Sequence, residues 1–563
     1  MTAWSTTRRI GAHAISVACV AAVAMLAQHV PDGGADTEPA RTVDVAPGET
    51  TLVCPSPAEL VQEDVGDDQF DASPVETESE LAVAAEVPDV VGLDGEQVAG
   101  GTSGGTAGHG EATGDDGEGD DEAGSGDGAE PDNAARVIRA EPGALAAATA
   151  TSVTTAGDLR GLVAGACREP AVEHWLVGGS SDVGSSSRLV LQNPGRTAAS
   201  VSLEVWGPSG PVTLGGHAVV VVPAGEQVST TLEAIAPGQG RVVVHAVSQG
   251  ARVAAYLQHH RIDGLVPQGA DLVTGGAAPS SALAVVGVDS QGEAVDDPHA
   301  PALRLLAPGD SDGTARLSVY GADGRVWLRG VDEVPLHAGA VTDLPLGGLP
   351  EGRYAVVVDA TVPVVGGGLV HRQGSVPDDA VIDEEPYDTA WIAGQAVGSG
   401  ASTVPERADD GGAGADGDAD AHEADGSAGG DGGDAGGLPP SFGLLAVPDD
   451  VSWAVNVAAV PTQRGEDDDP IGTAEVTITG YAADGTETGM LDVELPAGED
   501  ADLSDDDLEP LGENVAAIGL TATGDALTTW SLRLTDDSLI ATLTPPETAS
   551  TQSTVAVRNV VAD

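Results

Sequence analysis

The sequence predicts an all-β protein of three tandem immunoglobulin-like β-sandwich domains, or four when a divergent N-terminal β domain is counted, separated by disordered acidic Gly-rich insertions. Three observations carry that reading. Apolar residues recur with period two rather than with the helical period, one order of motifs appears three times, and two long stretches hold almost no large apolar side chain.

Taken in chain order, the first element is the N-terminal stretch "MTAWSTTRRIGAHAISVACVAAVAMLAQHVPDGG", in which Arg8 and Arg9 precede an apolar run from Ile10 to Ala27. A positive flank followed by an apolar run and then a polar segment is the pattern of an export signal. At about 18 residues the run sits at the lower limit of a membrane span. Residues 1–27 are therefore either a cleaved signal peptide or an uncleaved membrane anchor, and residues 28–47 a linker. "TRRIG" gives a weak twin-arginine reading, and Ser16 and Val17 fit a lipoprotein box around Cys19 poorly. The expectation is a secreted or cell-envelope protein, tethered to the plasma membrane if the segment is uncleaved and touching membrane only there.

Residues 48–170 contain strand-like pieces ("TLVC", "ELAVAAEV", "RVIRAEPGALAAATATSV") around an acidic insertion at 99–134, and form the divergent β domain. Three repeats follow. Each begins with a strand running to a proline ("RLVLQNP", "LRLLAP", "WAVNVAAVP"), and continues to a strand and turn ("LEVWGPSG", "LSVYGADG", "TITGYAADG"). Then come a strand entry ("VVVPAGEQV", "EVPLHAGAV", "VELPAGEDA") and a closing pair of valine- or leucine-rich strands. In "SVSLEVWG", Val201, Leu203 and Val205 alternate with Ser202 and Glu204, so one face is buried and the other is wet. Units of roughly 90 residues with six or seven short strands place sandwiches at 171–265, 280–377 and 441–563. The stretch 398–440 is the second acidic insertion, whose Gly, Ala, Asp and Glu cannot bury enough area to offset ordering entropy.

Composition bounds function by exclusion. A formal charge of -68 excludes a general nucleic-acid binder, because phosphate neutralisation needs clustered cations. All 22 basic residues are arginine, so no Walker-type lysine, Schiff base or Ser-Lys dyad can be built. Aromatic residues make up 2% of the chain, so the cores must rest on Val, Leu, Ile and Ala.

The arrangement of "TLVCPSP" after an export signal, then "RGLVAGAC", "HWLVGG", "RLVLQNP", "GLVPQGAD" and "AWIAG", resembles an actinobacterial family of exported proteins (domain-of-unknown-function family 5719). These elements span most of the chain outside the acidic insertions, and none is a catalytic signature. Genes of that family commonly lie near envelope glycan-synthesis genes, so the resemblance implies a cell-envelope role and no particular reaction.

"ACREPAVEHWLVGG", residues 166–179, concentrates reactive side chains, among them Cys167, Glu173 and His174. With Cys19 inside the export segment, Cys54 and Cys167 remain, and an even count in an oxidising compartment predicts a disulfide between them rather than a nucleophile. His259 and His260 are neighbours on a strand and point to opposite faces, so they chelate poorly. "GGAGADGDA" (411–419) imitates a calcium nonapeptide but carries Asp418 where a large apolar residue belongs. "DGDADAHEADG" imitates an EF-hand start but has Ala421 at the turn glycine and Ser427 at the bidentate glutamate. No metal site, catalytic residue or cofactor is assigned. Trp175, Trp206 and Trp391 are assigned to strand packing, with glycan contact as the alternative. The expected function is non-enzymatic binding, scaffolding or assembly, with an envelope polysaccharide or envelope protein as partner. The alternative is an envelope glycan hydrolase or transferase with an unidentified carboxylate site.

Overall fold

Ala199–Gly207 shows why the repeats fold as they do: its burial alternates residue by residue until it reaches a neighbouring sandwich, where Val205, Trp206 and Gly207 are buried together. The computed structural model describes residues 41–44, 49–60, 77–85, 88–95, 135–141, 144–328, 333–376, 383–397, 443–464, 470–546 and 554–557. The N-terminal apolar segment, the insertion at 99–134, the linker at 398–440 and both calcium-like stretches lie outside them, as does most of the linker at 28–47. Among the described residues no helix is long and apolar enough to cross a membrane.

The chain divides into two units, Met1–Pro47 with Thr551–Asp563, and Gly48–Ser550. In the first, Arg41–Asp44 pairs antiparallel with Thr554–Val557. Among its described residues the second holds four β-sandwiches. The N-terminal one packs a sheet of Thr50–Val53, Arg136–Ala140 and Asp89–Gly92 on a sheet of Thr77–Ala85, Ala146–Thr154 and Gly161–Ala166. The three repeats form the first, second and third sandwiches, with the same register in each. Val219–Val222 pairs with Ala199–Gly207, Glu333–Leu336 with Gly313–Gly321, and Glu487–Pro496 with Thr473–Tyr481. In the second sandwich one strand, Gly352–Gln373, serves both layers. Its first part pairs with Ser280–Ser290 and Gly313–Gly321, and its second with Ala302–Leu306 and Tyr387–Ala393.

The first and second sandwiches run past the boundaries at 265 and 377 expected from sequence. The first continues into Val266–Val273 and Gly275–Gly276, the second into Tyr387–Ala393 and Gln395–Ala396, in stretches to which the sequence pattern assigns no domain. Among the described residues the last paired strand of the third sandwich is Leu539–Leu543, Thr554–Val557 pairs with Arg41–Asp44, and the expected boundary at 563 lies outside them.

Contacts between sandwiches close a circuit within this unit. The N-terminal sandwich meets the first through Val53, Val91, Val137 and Ala254. The first meets the second through Trp175, Trp206, Leu306 and Val365. The second meets the third through Val286, Tyr320, Ala458 and Val460, and the third returns to the N-terminal one through Ala446, Ala517, Ala84 and Ala147. Small side chains at the last junction let the two sheets approach closely.

Candidate functional site

At the centre of the circuit lie four strands, one from each sandwich: Gly161–Ala166, Val266–Val273, Tyr387–Ala393 and Leu539–Leu543. Each is the edge strand of its own sheet. Edge strands carry backbone N–H groups that need partners once buried.

Two aspartates supply them. Asp388 Oδ2 accepts the N–H of Leu162 at 3.1 Å and of Ile540 at 2.8 Å, joining three sandwiches through one oxygen. Asp271 Oδ2 accepts the N–H of Trp391 at 2.7 Å, while its Oδ1 takes a long contact of 3.5 Å from Ala164 N–H. The Thr389 hydroxyl donates to the Gln268 carbonyl at 2.8 Å. Burial raises both carboxyls, Asp388 to about 6 and Asp271 well above the usual carboxylate range. Two arginines clamp the ends of the first axial strand. Arg160 donates to the Tyr387 carbonyl (3.3 Å) and the Ser538 hydroxyl (2.8 Å), and Arg168 to the carbonyls of Gly275 (2.8 Å) and Thr544 (3.2 Å). The strands approach so closely that a Cβ on Gly161 would stand 2.7 Å from the Ala270 carbonyl oxygen and 2.8 Å from Asp388 Oδ1.

A second concentration of polar and aromatic groups sits where the first sandwich meets the second. Trp175 stacks on Trp206 at 5.6 Å and on His245 at 3.9 Å. His245 lies between two carboxylates, with Nε2 2.9 Å from Glu173 and Nδ1 3.0 Å from Glu204. The hydrogen bond from His245, more than anything else, holds the Glu173 carboxyl below its usual range. Arg304 crosses the same junction. Its guanidinium pairs bidentately with Asp343 (2.7 and 2.9 Å), donates to the carbonyls of Gly179 (2.6 Å) and Val242 (3.3 Å), and lies 5.0 Å from the Trp391 ring. Trp391 Nε1 donates to His259 Nδ1 at 3.2 Å. Burial, the largest cause, lowers His259 to about 3.

The residues singled out in the sequence separate accordingly. Trp175, Trp206 and Trp391 are 6%, 7% and 4% exposed, all packed at this junction, which leaves little ring face for a sugar. Cys54 and Cys167 form a disulfide across 113 residues. Beside it lies a cavity of about 130 Å³ whose lining includes Cys54, Ser56, Ser79, Arg136, Ser152 and Leu272. His174 is half-buried and lowered chiefly by desolvation, with Nε2 2.8 Å from the Val253 carbonyl oxygen. As the neutral ring it donates there. Among the described residues, no three or more His, Cys, Asp or Glu side chains gather as metal ligands.

Sequence reasoning missed Asp271, Asp388, Arg160, Arg168 and Arg304. The available signal was a lone acid inside an apolar strand, "GADLV" and "YDTAWIA", since such an acid has to find partners in the interior. Both aspartates lie on strands whose motifs, "GLVPQGAD" and "AWIAG", carry the family resemblance.

No curated protein and no solved structure is significantly similar to the chain. The model of a family of unknown function, DUF5719, matches residues 125–436. That match covers more than half of the 563 residues and takes in three of the four axial strands. The chain belongs to the DUF5719 family.

Proposed function

We propose that the protein is an exported, non-catalytic component of the cell envelope that acts in binding, scaffolding or assembly, with an envelope protein or polysaccharide as its partner. The observation that supports this most is the engagement of Asp271 and Asp388: their carboxylates hold backbone N–H groups of strands from neighbouring sandwiches. Carboxylates used in this way give a rigid frame that holds outer surfaces in fixed relation, the property a scaffold needs. The N-terminal export pattern and the charge of -68 agree with an extracytoplasmic location.

Fractionation of cells expressing the chain with and without residues 1–27, combined with crosslinking, tests location and partnership together. Recovery in the envelope fraction with a discrete crosslinked partner supports the proposal, and a soluble cytoplasmic chain with none overturns it.

A second reading, a glycan-active enzyme, draws on Glu173 and Glu204, two solvent-facing carboxylates on either side of His245. Turnover of purified envelope polysaccharide that is abolished by Glu173→Gln or Glu204→Gln would favour it. Binding of such polysaccharide without turnover would favour the first reading.

A further inference from the structure

The three repeats place an outer strand in the same register, so their outward-facing residues can be compared position by position. In the second sandwich the exposed positions are Glu333 and Pro335, opposite Arg316 and Thr314. In the third they are Asp492 and Glu494, opposite Thr477 and Glu475. Charge and proline on an outer strand are the usual means of stopping another chain from pairing with it. In the first sandwich the same positions hold Val219 and Val221, opposite Ser202 and Ser200. These valines are 53% and 61% exposed, and both serines are exposed as well.

Among the described residues, Val219–Val222 pairs only with Ala199–Gly207, so alternate backbone N–H and C=O groups of the strand face away from the sheet. We propose that this edge of the first sandwich receives an extended segment of another envelope protein as an added strand. That segment carries β-branched side chains at alternate positions over Val219 and Val221, and a basic residue for Glu204.

Backbone pairing supplies the affinity and the two valines the side-chain selectivity. A second copy of the chain is the poorer occupant, because each copy brings a formal charge of -68 and the two repel. An extended segment with a basic residue instead meets an acidic surface, where Glu204, two residues beyond Ser202 on the neighbouring strand, is exposed and bonds His245 through one oxygen. The proposal rests on the binding reading above and names the partner's conformation and its place of attachment.

The test uses the full chain and a defined probe: a synthetic ten-residue peptide alternating Val and Thr between terminal arginines, fluorescently labelled and followed by anisotropy. The double variant Val219→Glu/Val221→Pro copies the protected edge of the second sandwich and is expected to weaken binding at least tenfold. N-methylation of alternate peptide amides is expected to do the same, because it removes the backbone donors. The reverse change, Glu333→Val/Pro335→Val, is expected to raise the stoichiometry from one peptide to two, a gain that a merely misfolded variant cannot give. Equal binding by parent and edge variant, equal binding of the N-methylated peptide, or no binding by the parent overturns the proposal. A parent dimer in sedimentation that separates in the edge variant also overturns it and assigns the edge to a second copy. An envelope partner crosslinked equally by parent and edge variant keeps the binding reading and overturns this site alone.

Discussion

Asp388 Oδ2 stands 2.8 Å from the backbone nitrogen of Ile540, so a carboxylate of the second sandwich completes the edge of the third. The same oxygen serves Leu162 of the N-terminal sandwich. Removing it leaves two buried donors without partners, each costing about 1–3 kcal/mol. Asp388→Ala is therefore expected to destabilise the chain by about 2–6 kcal/mol in urea unfolding. Asp388→Asn keeps an acceptor oxygen and should lose less. Equal stability of the alanine variant and the parent would show that these hydrogen bonds contribute nothing net.

Asp388 also predicts a pH dependence. Its folded value, about 6, lies above the ordinary value of 3.8, so folding favours the protonated carboxyl. That contribution is complete below 3.8 and is lost as pH rises through about 6, a change of about 3 kcal/mol across the window. The difference in unfolding free energy between parent and Asp388→Asn should change with pH inside this window and level off above it. A difference independent of pH would contradict the assignment.

The buried histidines act with the opposite sign. His259 and His371 are both lowered to about 3, chiefly by burial, so the folded state holds them neutral. Their contribution is complete above the ordinary value of 6.5 and is lost as pH falls, by about 1.4 kcal/mol per pH unit for each ring. Below neutrality they oppose the raised carboxyls of Asp271, Asp388 and Asp500, so the two rings are read by difference and not from the parent alone. Relative to the parent, His259→Gln/His371→Gln should gain urea stability on acidification from pH 7 to 5, and an identical pH response of variant and parent would contradict the assignment.

These residues also mark where the sequence was legible. Alternation in "SVSLEVWG" and the threefold order of motifs were enough to place the strands of the sandwiches, because each is a local pattern with one buried face. The axial strands were not legible as such. In "GLVPQGADLV" and "EEPYDTAWIA", Gly, Pro and Asp carry the local signal of a loop, and only the neighbouring sandwiches turn those residues into close approach and buried acceptors. The tryptophans were readable as packing but not as members of a junction, since Trp391 reaches His259, 132 residues away in sequence.

The Cys54–Cys167 disulfide ties the end of one axial strand to the segment that continues along the first sandwich, where Ser56 N–H donates to the Tyr256 hydroxyl at 3.0 Å and Glu59 pairs with Arg188 at 2.8 Å. Closing a loop over a separation of 113 residues is worth about 4–5 kcal/mol in the chain-entropy model. Cys54→Ser/Cys167→Ser should lower stability by about 2–5 kcal/mol. Reductant should lower the parent by the same amount and leave the double variant unchanged. A parent insensitive to reductant after its thiols have been shown to be free would mean that the axial hydrogen bonds and the packing of the first sandwich hold this segment without the covalent link.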